Sequence, residues 1–263
     1  MLYAAKEGFA AGAEYIRFGT GPKTLIMLPG LGDGLRTMKG TAVPMAIYYR
    51  SLAKDYTVYM FSRKRILSPG HTTRDMARDL KEAMEELGIR TASVVGVSMG
   101  GMIAQHLAAD YPEKVEKLVL VVTAARENPI LLESLEEWTA CALRDDHRAL
   151  MDSNLRRIYS ERYYRKNRWM IPVTGALTKH KSYDRFLILA EACRTHNAYD
   201  RLSAINAPTL VMGGEKDVSL GAEASRELAA AIKGARLKMY PQWGHGLYEE
   251  AEDFLQTVTD FLG

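Results

Sequence analysis

The run Gly96-Val97-Ser98-Met99-Gly100 decides the fold of this 263-residue chain. It follows an apolar β-type run, 92–95, and precedes a helical pattern with Met102, Ile103 and Leu107 on one face. A strand that turns directly into a helix brings backbone close to backbone, so small residues are needed two positions before and after the serine. Such a turn holds the hydroxyl at its tip, beside the N-terminus of a helix. The pattern predicts a nucleophilic serine at position 98.

Composition and charge limit the class of protein. The chain is 47% apolar and 25% charged, with a formal net charge of +3, which is ordinary globular composition. So small a charge does not favour nucleic-acid binding, and we expect a small-molecule substrate and no nucleic-acid partner. Cys141 and Cys193 form no metal-binding pattern, and the first twenty residues lack the pattern of a secretion signal. We therefore expect a cytoplasmic enzyme with no metal, no cofactor and no membrane contact, and we leave a homodimer open.

Short apolar runs alternate with helical segments over most of the chain, which is typical of a mostly parallel sheet with crossover helices. Strands are predicted at 24–28, 57–61, 92–97, 118–122, 209–212 and 237–240, and helices near 72–87 and 249–262. The alternation stops between about 126 and 200, where the sequence is helix-forming, aromatic and basic. We predict an α/β core of residues 1–125 and 201–263 with a helical cap inserted at 126–200.

A serine nucleophile needs a base and a carboxylate that orients the base, and in this strand-turn-helix setting they follow in the order acid, then histidine. Asp217 ends the run 213–217, directly after a predicted strand, and His245 lies in a glycine-flanked loop after the last strand. Glu215 is the rival for the acid. The other five histidines lie in helical patterns, in the cap or in a loop, where packing or surface roles are expected.

The loop after the strand at 24–28 reads Leu28-Pro29-Gly30-Leu31-Gly32-Asp33-Gly34. Its glycines let the backbone approach a substrate oxygen closely, and Gly30 is a candidate substrate contact. Pro29 has no amide donor, so the amide of Leu31 is the candidate oxyanion donor from this loop. The amide of Met99, at the start of the helix after Ser98, is the second candidate donor.

Residues that select the substrate are less legible. Arg63 opens the basic run Arg63-Lys64-Arg65 after a predicted strand; it is a candidate for binding an anionic group, with a solvated surface run as the favoured alternative. In the cap, aromatic and methionine side chains are candidates for an apolar acyl pocket, and are equally consistent with packing of the cap on the core. These are Trp138, Met151, Tyr159, Trp169 and Met170.

The stretch from Gly96 to Gln105, followed by Tyr111-Pro112-Glu113-Lys114-Val115, resembles the α/β-hydrolase superfamily, particularly its carboxylesterase-like and 3-oxoadipate enol-lactonase-like members. The resemblance covers about residues 13–125 and 205–263. It implies an α/β-hydrolase fold. It also implies functional residues at Ser98 (nucleophile), Asp217 (acid), His245 (base) and the amides of Leu31 and Met99 (oxyanion hole). Two departures are Pro29-Gly30 where members commonly have His-Gly, and 62–65 where they commonly have Asp-x-Arg-Gly.

The sequence as a whole predicts hydrolysis of a small carboxylic ester or lactone through an acyl-enzyme on Ser98. One alternative applies the same Ser98-His245-Asp217 triad to C–C bond hydrolysis, perhydrolysis or an elimination. A second alternative is a non-catalytic, ligand-binding or receptor-like protein on the same fold.

Overall fold

The computed structural model describes residues 2–263, apart from the side chains of Leu2, Ala176 and Leu177, and its strands form one eight-stranded sheet. The strands are β1 (Lys6–Ala10), β2 (Ala13–Phe18), β3 (Lys23–Leu28), β4 (Tyr56–Lys64), β5 (Ala92–Val97), β6 (Val115–Val121), β7 (Thr209–Gly214) and β8 (Arg236–Tyr240). Their order is β1-β2-β4-β3-β5-β6-β7-β8. Strand β2 pairs antiparallel with both β1 and β4. The remaining pairings, from β4 across to β8, are all parallel. The predicted fold class is confirmed.

Helices cover both faces of the sheet, and the central strands are accordingly apolar on both faces. Along β6, Leu118 and Leu120 join the core on one face while Val119 and Val121 join the core on the other. The helices outside 126–200 are α1 (Ala42–Tyr48), α2 (Thr73–Glu86), α3 (Met99–Asp110), α9 (Ala222–Ala231), α10 (Leu247–Glu250) and α11 (Phe254–Leu262). Helices α2, α3 and α9 pack on the face of Leu118, and α1 and α11 pack on the face of Val119.

Two parts of the core differ from the sequence prediction. Strands β1 and β2 were not located from the apolar runs; they form an edge hairpin whose turn residues Ala11 and Gly12 both have positive φ, 47° and 84°. The helix predicted at 249–262 is interrupted, because Ala251 has an extended backbone and α11 begins afresh at Phe254. The predicted helix at 72–87 agrees with α2, whose start is fixed by a capping box between Thr72 and Asp75.

Residues 126–200, which we call the cap segment, run between β6 and β7. They contain α4 (Pro129–Leu143), α5 (His147–Ile158), α6 (Glu161–Asn167), α7 (Ile171–Leu177) and α8 (Asp184–Arg194). The chain leaves and rejoins the core at neighbouring points, since the amide of Ala198 donates to the carbonyl of Ala125 at 2.8 Å. None of the helices described between residues 2 and 263 combines the length and the apolar character needed to span a bilayer.

Candidate active site

Ser98 occupies a sharp turn between β5 and α3. Its backbone has φ 54° and ψ −121°, a conformation that non-glycine residues adopt rarely and at a cost of about 1–3 kcal/mol. The surrounding structure maintains this strain: the Ser98 amide donates to Val121 O at 2.9 Å, and the Thr123 hydroxyl donates to Ser98 O at 2.7 Å. The side chain of Ser98 is half-buried. The turn therefore presents the hydroxyl at the carboxyl edge of the sheet.

The glycines of the motif are required by contact with backbone. A Cβ on Gly96 would lie 2.6 Å from Gly100 O, and one on Gly100 would lie 2.1 Å from Leu28 O. Glycine is therefore needed two positions before and after Ser98 for the predicted reason, which is the close approach of backbone to backbone at the turn. The second contact also joins the turn to the end of β3, where the next loop begins.

His245 and Asp217 come together although they are 28 residues apart. His245 Nδ1 lies 2.8 Å from Asp217 Oδ2, and both side chains are buried, with 4% and 7% exposed. The other carboxylate oxygen, Oδ1, accepts the amides of Ser219 at 2.8 Å and Leu220 at 3.0 Å. These two donors fix the orientation of the carboxylate towards the imidazole. The rival acid Glu215 instead pairs with Arg226 at 2.5 Å on the surface.

Two glycines let the loops that carry Asp217 and His245 pack closely. A Cβ on Gly214 would lie 2.5 Å from Gly244 O, and one on Gly244 would lie 2.7 Å from Lys216 O. The loops are also joined by a hydrogen bond from the Lys216 amide to Trp243 O at 3.1 Å. Backbone packing at the end of β7 thus sets the distance between acid and histidine.

The loop after β3 lies directly beside Ser98. A Cβ on Gly30 would lie 3.3 Å from Ser98 Cβ. The next residue, Leu31, begins a short 3-10 turn, just as Met99 begins α3. The first amides of a helical turn have no acceptor within that turn, so the amides of Leu31 and Met99 remain the candidate oxyanion donors. The structure places both candidate donors in the backbone next to the serine.

Ser98 and His245 line one pocket of about 380 Å3, a size typical of small-molecule sites. Among the substrate contacts predicted from sequence, Gly30, Trp138 and Tyr159 line this pocket, the last two from the cap segment. Arg63 and Trp169 are not among its described lining residues: Arg63 is only 5% exposed and turned inward, and Trp169 is 71% exposed on the surface. The predicted contacts of Arg63 and Trp169 with substrate therefore find no support in the geometry.

The residues of the apolar pocket floor were not predicted from the sequence. Met60, Met27 and Val95 are register partners across three adjacent strands, so they form a row at the carboxyl end of the sheet. Met38, which precedes α1, and Met45, which lies within α1, line the same pocket. A signal existed, because positions 38 and 45 recur at helical spacing, but nothing in a single sequence says that this face borders a pocket.

The rim of the pocket carries a carboxyl group. The hydroxyl of Tyr159 donates to Glu249 Oε2 at 2.7 Å. Nearby protein atoms shield the Glu249 carboxyl from water, and this loss of solvation raises its pKa. The hydrogen bond from Tyr159 lowers the pKa, and the charge of the neighbouring Glu250 raises it. Burial also raises the pKa of Tyr159 and of Tyr248, so both stay neutral hydroxyl donors at neutral pH.

Polar contacts tie the cap segment to the loops of Asp217 and His245. The Gly246 amide donates to Ile158 O at 2.6 Å, and the Ser160 hydroxyl donates to Glu250 Oε1 at 2.5 Å. On the other side, the Ser219 hydroxyl donates to the carbonyl of Arg157 at 3.0 Å. A short stretch of the cap, residues 157–160, therefore touches both loops.

Comparison with known proteins gives consistent matches over nearly the whole chain. Residues 23–252 match the model of a family described as the alpha/beta hydrolase fold. A 2-hydroxy-6-oxononadienedioate/2-hydroxy-6-oxononatrienedioate hydrolase of Cupriavidus pinatubonensis is 28% identical, over 93% of this chain and 88% of the relative.

Solved structures agree. The enol-lactonase from Burkholderia xenovorans LB400 superposes with a TM-score of 0.79 at 25% identity, covering 98% of this chain and 99% of the other. An alpha/beta hydrolase enzyme from a Medee basin deep-sea metagenome library superposes with a TM-score of 0.84 at 24% identity, covering 95% and 94%. At that identity the last comparison speaks for the fold alone.

Proposed function

Because the chain belongs to the alpha/beta-hydrolase-fold family and is a hydrolase, we propose that it cleaves a small carboxylic ester or lactone through an acyl-enzyme on Ser98. The observation that carries the proposal is the buried bond of 2.8 Å between His245 Nδ1 and Asp217 Oδ2, with His245 lining the same pocket as the strained Ser98. Strain of this kind persists where the surrounding structure imposes it, and such residues cluster at active sites.

The residues divide the reaction into two steps. Ser98 Oγ adds to the ester carbonyl while His245 Nε2 takes the hydroxyl proton, and the amides of Leu31 and Met99 bind the oxyanion. When the tetrahedral species collapses, the bond to the alcohol breaks and His245 returns the proton to the leaving oxygen. Water then repeats the sequence on the acyl-enzyme and releases the acid. Asp217 holds the imidazole in the tautomer that leaves Nε2 free to accept.

The pocket favours an apolar acyl group of modest size. Its floor consists of Met27, Met60 and Val95, and its volume is about 380 Å3. Methionine side chains are flexible and polarizable, so such a floor adapts to acyl chains of different shape. We propose short, neutral acyl esters as the first substrates to test.

A fluorophosphonate probe together with p-nitrophenyl butyrate and a set of lactones tests the proposal. Wild type should be labelled and should turn over the ester, and Ser98→Ala should do neither. Ser68→Ala, which changes an exposed loop serine, is the matched control and should behave as wild type. A wild type that is neither labelled nor active would overturn the hydrolase mechanism and favour a ligand-binding role.

A second candidate, hydrolysis of a C–C bond with the same residues, is favoured by one specific comparison. The relative from Cupriavidus pinatubonensis is named for hydrolysis of an oxononadienedioate, an oxo acid. Labelling of Ser98 without turnover of any ester or lactone would select this candidate. Turnover of p-nitrophenyl butyrate that Ser98→Ala abolishes would select the ester reaction.

A further inference from the structure

Asp33, in the loop beside Ser98, is a buried carboxylate that the proposed mechanism does not use. It is 2% exposed, and its Oδ2 accepts the backbone amide of Arg63 at 2.9 Å. The same oxygen accepts Nη2 of Arg185 at 2.6 Å. A carboxylate withdrawn from water is stable only when it is paired and hydrogen-bonded, so Asp33 fixes the relative position of the groups that bind it.

Arg185 reaches this carboxylate from the cap segment, where it lies near the start of α8. Its guanidinium also donates to the carbonyls of Asp33 and Arg63, the second at 3.1 Å. A planar guanidinium presents its donors in a fixed fork and so holds several acceptors in set directions, whereas the ammonium of a lysine is a compact point charge without that geometry. One cap side chain thereby joins the 3-10 turn after β3 to the end of β4.

Arg63 supports the same loop at its other end. Its Nη2 donates to the carbonyl of Pro29, one residue before Gly30. Burial lowers the pKa of Arg63, and two of its nitrogens, Nε and Nη1, have no hydrogen-bond partner among the described residues. A guanidinium held so deep in the protein has little freedom to move, and the carbonyl of Pro29 is held with it.

Helix α8 also packs on the loop without space between them. A Cβ on Gly34 would lie 2.9 Å from the Cα of Phe186, the residue after Arg185. The loop from Pro29 to Gly34 is thus bounded by Ser98 on one side and by α8 on the other. Helix α8 is thus in direct contact with the turn in which Leu31 lies.

We infer that Asp33, Arg63 and Arg185 are positioning residues that hold the Leu31 amide at the oxyanion site, so that this half of the site forms only while the cap segment is seated. The inference rests on the proposed function. It adds that the cap, beyond lining the pocket, sets the geometry of catalysis at a loop of the core.

The test separates stabilisation of the oxyanion from binding of substrate. Arg185→Met and Asp33→Asn are measured for kcat and KM on p-nitrophenyl butyrate, and for the affinity of a trifluoromethyl ketone. Ser98 Oγ adds to the ketone carbon, the serine proton passes to His245, and the ketone oxygen becomes the bound oxyanion. Since a displacement of about 1 Å can lower a rate by about 10²-fold, we expect kcat and ketone affinity to fall together by up to that factor. KM should stay within about three-fold, because the loss is confined to the transition state.

Arg194→Met is the matched control: it removes an arginine from the same helix α8, where Arg194 pairs with Glu191 on the surface. It should leave kcat and ketone affinity unchanged. Arg185→Lys keeps the charge without the fork and should fall between wild type and Arg185→Met. A folded Arg185→Met with wild-type kcat and ketone affinity, or with a loss confined to KM, would overturn the inference. If Arg185→Met does not melt cooperatively, Arg185→Lys takes its place. Wild-type kcat and ketone affinity in Arg185→Lys would then overturn the inference. Failure of the proposed function is distinct, since wild type itself would then be inactive and unlabelled.

Discussion

The core and the cap segment meet at the pocket, and each is held there by a different kind of contact. In the core, close backbone packing at glycines fixes the loops: Gly96 and Gly100 at the serine, Gly214 and Gly244 between acid and histidine. In the cap, charged and hydroxyl side chains make many of the contacts, as with Ser160 on Glu250, beside the backbone bond from the Gly246 amide to Ile158 O. Backbone packing admits one residue type, whereas side-chain contacts can be made by many. The core of the site is therefore strict in sequence, and the cap can vary except where its side chains reach the core loops, as Arg185 does at Asp33.

The largest expected effect lies in the core, at the acid. Asp217→Asn keeps the shape but reverses the tautomer that the imidazole needs, and we expect kcat to fall by about 10⁴-fold. Steady-state kinetics on p-nitrophenyl butyrate measure the loss. Glu215→Gln is the control, because Glu215 pairs with Arg226 on the surface. Wild-type kcat in Asp217→Asn together with a large loss in Glu215→Gln would make Glu215 the acid and disprove the assignment of Asp217.

A smaller loss should follow from adding one methyl group to a core glycine. Gly100→Ala places a Cβ 2.1 Å from Leu28 O, so the turn and β3 must separate. We expect activity to fall by about 10²-fold through displacement of Ser98 and the free energy of unfolding to fall by about 1–3 kcal/mol. Gly32→Ala is the control for stability, since a Cβ there meets nothing within 4 Å. Equal urea unfolding of the two variants would contradict the backbone account.

Acid should weaken the junction between core and cap. His106 of α3 and His196 at the end of the cap segment pack edge to face, with ring centroids 5.2 Å apart. Burial lowers the pKa of His106 from 6.5 to about 4 and that of His196 to about 3. The unfolded chain therefore binds two protons that the folded chain does not, and stability falls as pH drops from 6.5 towards 4.

The slope of that loss is up to about 1.4 kcal/mol per pH unit for each histidine. Urea unfolding at a series of pH values measures it. Asp110 raises the pKa of His106, while Arg74 and Arg201 lower it. Because these charged groups act on His106, we choose the variant His196→Gln, which removes only the histidine of the cap segment. That variant should have a shallower slope. A slope unchanged from wild type would show that the junction does not titrate in this way.

The smallest expected effect is at a single cap contact. Ser160→Ala removes the hydroxyl that binds Glu250 and caps α6, and should lower the free energy of unfolding by about 1 kcal/mol. Amide exchange should rise in the cap and stay unchanged in the central strands, because the glycine contacts of the core are untouched. Ser203→Ala, at an exposed serine, is the control. Faster exchange throughout β5 and β6 would mean that core and cap open as one unit.

The same contrast explains how far the sequence could be interpreted. The order Ser98, Asp217, His245 was predictable because each residue follows a strand and each strand ends at the same edge of the sheet. The Leu31 loop was predictable for the same reason. The burial of Arg63 was not, since a basic run gives no sign that Arg63 lies within β4 and turns inward while Arg65 is exposed. Its partners Asp33 and Arg185 are 152 residues apart, and no local pattern joins them.

The meeting of the two ends of the cap segment has a consequence for exchange of parts between proteins. Ala125 O and Ala198 N are 2.8 Å apart, so a foreign segment with closely spaced ends can replace residues 126–197 without stretching the sheet. Simple deletion would instead remove Phe186 and Leu189, which belong to one hydrophobic cluster with core residues, and would expose the apolar core side chains of that cluster to water. A graft that keeps an arginine facing Asp33 would exchange part of the pocket wall and leave Ser98, Asp217 and His245 in place. The fold is in this sense divided at one hydrogen bond, with these three residues on one side and Trp138 and Tyr159 of the pocket wall on the other.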